Sequence, residues 1–168
     1  MPSHGFCKIE GETQGVITEG ALGEESLGSA WMEGHEGDCT FHAFEQEAGT
    51  GRDMGVDGGR RIYHAVRITK VIDKSSPRIQ EALKSNESLP QVVFTFIRAD
   101  ATGQQEEYYK ITLEQARISN IRNYMPDSLD PANATLVPMQ DVSFAYEKIT
   151  WQHVIGRTEC QDSWSETG

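Results

Sequence analysis

Three side chains open the question of chemistry. His35, Cys39 and His42 lie close together in the chain, and imidazole and thiolate are ordinary zinc ligands. Their spacing works against a shared site. Cys39 and His42 are three positions apart, which on a strand points them to opposite faces. The string GTGRDMG, at 49–55, has the glycines of a phosphate-cradling loop. It is followed by neither Gly-Lys-Ser/Thr nor the helix N-terminus that would hold an anion. Serines, histidines and acids are plentiful, but no G-x-S-x-G elbow singles out a nucleophile. The acid pairs Glu24 with Glu25 and Glu106 with Glu107 read as solvated surface. Asn86 and Asn133 open glycosylation sequons, which mean little without a leader for export. The sequence therefore predicts no catalytic residue, no metal ligand and no cofactor-binding residue.

The elements around these residues are mostly strands. Val92, Phe94 and Phe96 alternate with Val93, Thr95 and Ile97, and Tyr109, Ile111 and Leu113 alternate with Lys110, Thr112 and Glu114. Ile62, His64, Val66 and Ile68 share a parity over 62–70, and a further strand-like run covers 40–46. Val142, Phe144 and Tyr146 form another face. Each pattern fits a strand with one buried side. Parity then slips, because Ile149 and Trp151 fall on the other register. Either a bulge near Glu147 and Lys148 or a strand covered on both faces would account for it. One segment breaks the period. Ser76 can cap a helix with Pro77 at its first position, and Ile79, Ala82 and Leu83 make one apolar stripe. Asn86 is a fair stop. Many strands and a lone helix predict a β-barrel of two packed sheets with one α-helix on its side. Phe94, Phe96, Phe144, Tyr146 and Trp151, with Ile79 and Leu83, are expected in the core or at a subunit contact.

Composition narrows the function classes. The chain has 168 residues, enough for one domain with a sizeable core. The expected division is one domain over 1–155 with an extended loop at about 48–61, then a polar, frayed tail over 156–168. The net charge of -11 argues against a nucleic-acid partner, which needs clustered Lys and Arg. No apolar run is long enough for membrane insertion. The N-terminal residues lack the basic and apolar regions of a signal peptide. Cys7, Cys39 and Cys160 are odd in number and widely spaced, which suits a reducing cytoplasm.

Six strings, in order, carry a resemblance. They are IEGETQGVITEGA (9–21), EGHEG (33–37), TKVIDKSSP (69–77), EEYYKITLEQARI (106–118), NYMP (123–126) and VSFAYEKITWQH (142–153). Together they resemble the haemolysin-coregulated (Hcp) tube proteins of the bacterial type VI secretion system, over nearly the whole chain. The resemblance implies a homohexameric ring and rings stacked into a hollow tube. It implies a contractile sheath and a spike protein as partners, with effector cargo in the lumen. It also implies synthesis in the cytoplasm and expulsion by the machine itself, which would make a signal peptide unnecessary.

The glycine-rich loop is nearly devoid of core-forming residues, and Arg52, Asp53, Asp57, Arg60 and Arg61 give it both signs of charge. With Met54 and Val56 these residues are the expected contact between stacked rings. Two other readings stay open at this stage. One is a monomeric barrel that binds a small ligand, which needs an apolar cavity. The other is a cell-envelope hydrolase, which needs a cleft with perturbed titrating groups.

Overall fold

The computed structural model describes residues 4–50 and 61–163. Twelve strands dominate: β1 (Gly5–Gly11), β2 (Gly15–Val16), β3 (Cys39–Phe41), β4 (Ala43–Glu45), β5 (Ala48–Thr50), β6 (Arg61–Tyr63), β7 (Val66–Val71), β8 (Leu89–Ala99), β9 (Gln105–Tyr124), β10 (Met139–Ala145), β11 (Lys148–His153) and β12 (Thr158–Ser163). Two helices accompany them, the one-turn α1 (Glu24–Leu27) and α2 (Ser76–Lys84), with short 3-10 turns at Gly28–Ala30 and Pro131–Asn133. The mainly β, two-sheet architecture agrees with the sequence.

β9 organises both sheets. Its first half pairs with β8 and β11, and its second half pairs with β10. The change of partner falls at Gln115, whose φ of 51° places it in the left-handed region. Parity changes there too: Ile111 and Leu113 are buried before it, Ala116 and Ile118 after it. The neighbouring chain turns at the same level. β10 ends at Ala145 and β11 begins at Lys148, with the Glu147 amide donating to the Glu114 carbonyl at 3.3 Å. The parity slip in the sequence is thus a corner between sheets, neither a bulge within one strand nor a doubly covered strand. Phe144, Tyr146 and Ile149 all face the core because the chain changes sheets between them.

The two packed sheets do not close into a continuous hydrogen-bonded barrel. The paired order is β2-β1-β8-β9-β10-β7-β4, an open path. β3 pairs with β1 and β4 pairs with β7, so the run β3–β4 bridges the two ends of the path. The bridge breaks at His42, whose amide bonds the Thr69 carbonyl at 2.7 Å. Continuous chain, not a closed ladder, carries the sheets past each other at β9 and at β3–β4.

Three further expectations change. The run 62–70 is two strands, because His64 is drawn out of the ladder. Its amide donates to the Glu47 carbonyl, and its own carbonyl accepts the Tyr146 hydroxyl at 2.9 Å. β6 instead pairs with β5 as a separate hairpin, so the ends of the 48–61 loop are strand. The tail is polar but not frayed through Ser163, since β12 pairs with β11 along its length. Backbone pairing asks for no apolar side chains, so the sequence pattern was silent. The helix begins one residue early, with Ser75 in the cap position and Pro77 inside the first turn. Neither serine caps it by its side chain. Asp73 holds the start instead, its Oδ1 accepting from the Ser75 amide at 2.8 Å and the Ser75 hydroxyl at 2.5 Å. Asn86, after the helix, takes a φ of 53°, the conformation that ends helices.

The core lies between the two sheets and under α2. Ile79 and Ala82 are buried, and Leu83 packs at the rim. Glu87 secures the helix end to the β1–β2 turn, accepting from the Thr13 amide at 3.2 Å and the Gln14 amide at 3.0 Å.

Candidate assembly surfaces

The aromatic residues divide between core and rim. Phe94 and Phe144 are fully buried and meet edge-on, with centroids 5.7 Å apart. Phe44 lies 5.1 Å from both Phe94 and Phe96, in the T-shaped arrangement favoured by ring quadrupoles. Phe96 and Trp151 are partly buried against this cluster. Tyr146 is buried, and desolvation pushes its hydroxyl up to about 12. Ile79 is fully buried. The residues expected in the core or at a contact are thus placed in the core or at its edge.

The base of the glycine-rich loop is clamped. Arg61, on β6, donates from Nε to Asp162 Oδ2 at 2.5 Å and from Nη2 to Oδ1 at 2.9 Å. The Tyr63 hydroxyl donates to the same Oδ2 at 2.7 Å. Trp151 extends this seam, its indole Nε1 donating to Gln46 Oε1 at 3.2 Å. The Arg61 guanidinium and then the Tyr63 hydroxyl hold the Asp162 carboxyl below its ordinary range. Burial, followed by the bond to Asp162, moves Tyr63 up to about 12. Arg61 is therefore engaged within its own chain. Arg52, Asp53, Met54, Val56, Asp57 and Arg60 lie outside the described residues. Sequence reasoning missed Asp162, which sits in the supposed tail and carries no local signal for a partner so distant in the chain.

A second surface is apolar and open. A groove of ≈ 440 Å³ is lined by Leu27, Ala30, Met32, Val71, Ile72 and Val137, with Thr40 and His42. Ile72 and Val137 are 44% and 48% exposed, and Leu136 is 51% exposed. Apolar side chains this open and this close together mark contact sites more often than ordinary surface. Composition alone did not reveal the groove, because its walls come from four separate stretches of chain.

The metal candidates are dispersed. Cys39 is buried in the core, opposite Cys7. His35 stacks on Phe6 at 3.7 Å and bonds Asp38. His42 faces His4 across 6.1 Å. Burial, then the charge of His35, lowers the pKa of His4, and burial, then the charges of His4 and Lys70, lowers that of His42. Among the described residues no three His, Cys, Asp or Glu side chains are grouped to hold a metal ion, and no helix is long and apolar enough to cross a membrane.

The comparisons with known proteins agree along the chain. The family model described as "Type VI secretion system effector, Hcp" matches residues 6–153. The "Major exported protein" of Pseudomonas aeruginosa is 41% identical over 98% of this chain and 96% of its own. Among solved structures, one described as "Crystal structure of Hcp protein" superposes with a TM-score of 0.91 at 31% identity, covering 96% of this chain and 98% of that one. A "Secreted protein Hcp3" from Pseudomonas aeruginosa superposes at 0.83 with 36% identity and the same coverage.

Proposed function

This chain belongs to the Hcp family of type VI secretion proteins, and from that premise we propose that it is a structural tube subunit which performs no catalysis. Six copies form a ring, and rings stack into a hollow tube. A contractile sheath drives the tube outward behind a spike protein, and effector cargo travels non-covalently in the lumen. The chain is made in the cytoplasm and leaves the cell through the machine it helps to build.

The observation that carries this reading is the open apolar groove on a chain whose resemblance to the family runs nearly end to end. A closed ring requires a heterologous contact, so each subunit must present two different complementary faces. The groove between Leu27 and Val137 supplies one such face, and its occupant is a neighbouring copy of the same chain. The hairpin β5–β6, held to β12 through Asp162, supplies a rigid base from which the intervening loop meets the next ring.

Light scattering behind a sizing column, with negative-stain imaging, tests the proposal. The wild-type chain is expected to run as a hexamer at micromolar concentration, and Val137→Asp is expected to run as a folded monomer. A wild-type monomer overturns the tube reading. A hexamer that survives both Val137→Asp and Ile72→Asp moves the ring contact to another surface.

A further inference from the structure

Cys7 and Cys39 are direct partners across the antiparallel ladder of β1 and β3. Both side chains are fully buried and point into the same core. Opposed residues in an antiparallel pair have Cα atoms about 4.5 or 5.5 Å apart, and both values fall inside the window of about 4.4–6.8 Å that a disulfide spans. In the structure both are free thiols. Cys160 stands apart on β12, exposed and opposite Trp151.

We propose that Cys7 and Cys39 form a disulfide once the chain has left the reducing cytoplasm, closing the segment that carries β2 and α1 into a covalent loop. The proposal rests on export, but its chemistry can be tested without it. The oxidant is a low-molecular-weight disulfide, RSSR. Either cysteine thiolate attacks one sulfur of RSSR, giving a mixed disulfide and one RS⁻. The second cysteine thiolate then attacks the protein sulfur of that mixed disulfide and expels the other RS⁻. Each leaving thiolate takes up one of the two cysteine protons. The net change is two protein thiols to one disulfide and RSSR to two RSH. In the cytoplasm the glutathione pool keeps the pair reduced, and outside that pool nothing opposes the bond.

The fold also controls the rate. Burial, then the hydrogen bond that its own S–H donates to Cys39, pushes the Cys7 thiol well above its ordinary value, so thiolate is scarce while the strands are paired. Exchange must wait for β3, three residues long, to lift from β1. Openings of that size cost less than global unfolding. Once formed, the bond ties β3 to β1 at one end of the β3–β4 bridge between the sheets. A cross-link across a segment of this length constrains the unfolded chain. It is expected to raise the thermal midpoint by about 5–10 °C.

The test uses the full chain carrying Cys160→Ser, which removes the exposed thiol. It is incubated with oxidised glutathione both folded and during refolding. The expected product is lighter by two hydrogens, shows no free thiol after unfolding, and yields a peptide linking Cys7 to Cys39. Its midpoint rises, and reductant reverses the rise. Two titratable thiols after both treatments, or only glutathione adducts, overturn the proposal. A second arm alkylates chain taken from the cytoplasm and from the culture medium. The expected result is reduced chain inside and oxidised chain outside. Reduced chain in the medium overturns the proposal. No chain in the medium counts against export alone, and the first arm then decides.

Discussion

Two ion pairs sit at different depths in this molecule. Lys70 and Asp73, joined at 2.9 Å, are both fully buried between β7 and α2. Arg61 and Asp162, joined at 2.5 Å, lie at the surface with side chains 44% and 18% exposed. Each pair has further partners. The Lys70 ammonium also donates to the Val71 carbonyl at 3.0 Å and reaches the Ser76 hydroxyl. Asp162 also takes the Tyr63 hydroxyl. What separates them is water. The inner pair has given up its hydration and each charge depends on the other, so losing one partner strands the second in a medium that cannot solvate it. The outer pair exchanges a protein contact for a water contact at little net cost. Neither member of the first pair can therefore be lost alone without a large cost. The second orients a hairpin that the fold does not need for stability.

The largest effect should come from breaking the inner pair. Asp73→Ala is expected to destabilise by about 3–5 kcal/mol, since it leaves the Lys70 charge buried and unpaired. It also removes the acceptor that starts α2. Denaturant titration measures the loss, and a change near zero would show that water reaches Lys70. The double variant Lys70→Met, Asp73→Leu sharpens the point, because replacing both charges with apolar groups should restore most of the stability.

Next comes the helix stripe above that pair. Ile79 is fully buried whereas Leu83 packs at the rim. Leu83→Ala should therefore cost about 2 kcal/mol, the low end for such truncations, and Ile79→Ala should cost more. Equal losses would mean that the rim closes over Leu83 in solution.

A smaller, pH-dependent effect is expected at His4 and His42. Both have folded pKa values lowered by burial, so the unfolded chain binds protons more readily. Stability should be level above about pH 6.5 and decline as pH falls through that value, the ordinary histidine pKa. Thermal midpoints recorded between neutral and mildly acidic pH check this. The double variant His4→Gln, His42→Gln should flatten the decline.

The outer pair should give the smallest change in stability. Asp162→Asn is expected to unfold at nearly the wild-type midpoint at neutral pH. The depressed Asp162 pKa adds stability only above the ordinary carboxylate value, and this is lost as pH falls below it. Its expected consequence is assembly. Hexamers of Asp162→Asn should stack poorly, as should a chain in which residues 50–58 are replaced by a short glycine-serine linker. Long tubes from both variants, seen by negative stain, would remove the hairpin from the contact between rings. Monomers would place it within the ring.

The sequence by itself determined the strands with one buried face, the helix stripe at Ile79, Ala82 and Leu83, and the family. Alternation and helical spacing are local, and they follow directly from which side chains must leave water. A parity slip was legible near Glu147 and Lys148, but it read as a bulge or a doubly covered strand, and only the structure made it a corner. The matching corner was present in the same form, as the step from Leu113 to Ala116 around Gln115, and continuous strand character hid it. Only the tertiary structure decided which edges pair, that the paired strands do not close into a continuous ladder, and that β12 is a strand at all. Its exposed side chains carry no burial pattern, and its pairing is made by backbone groups that every residue owns. Nor could any local signal join Cys7 to Cys39, Arg61 to Asp162, or the separate walls of the apolar groove. Those meetings depend on long-range chain closure, and short-range sequence pattern does not encode it.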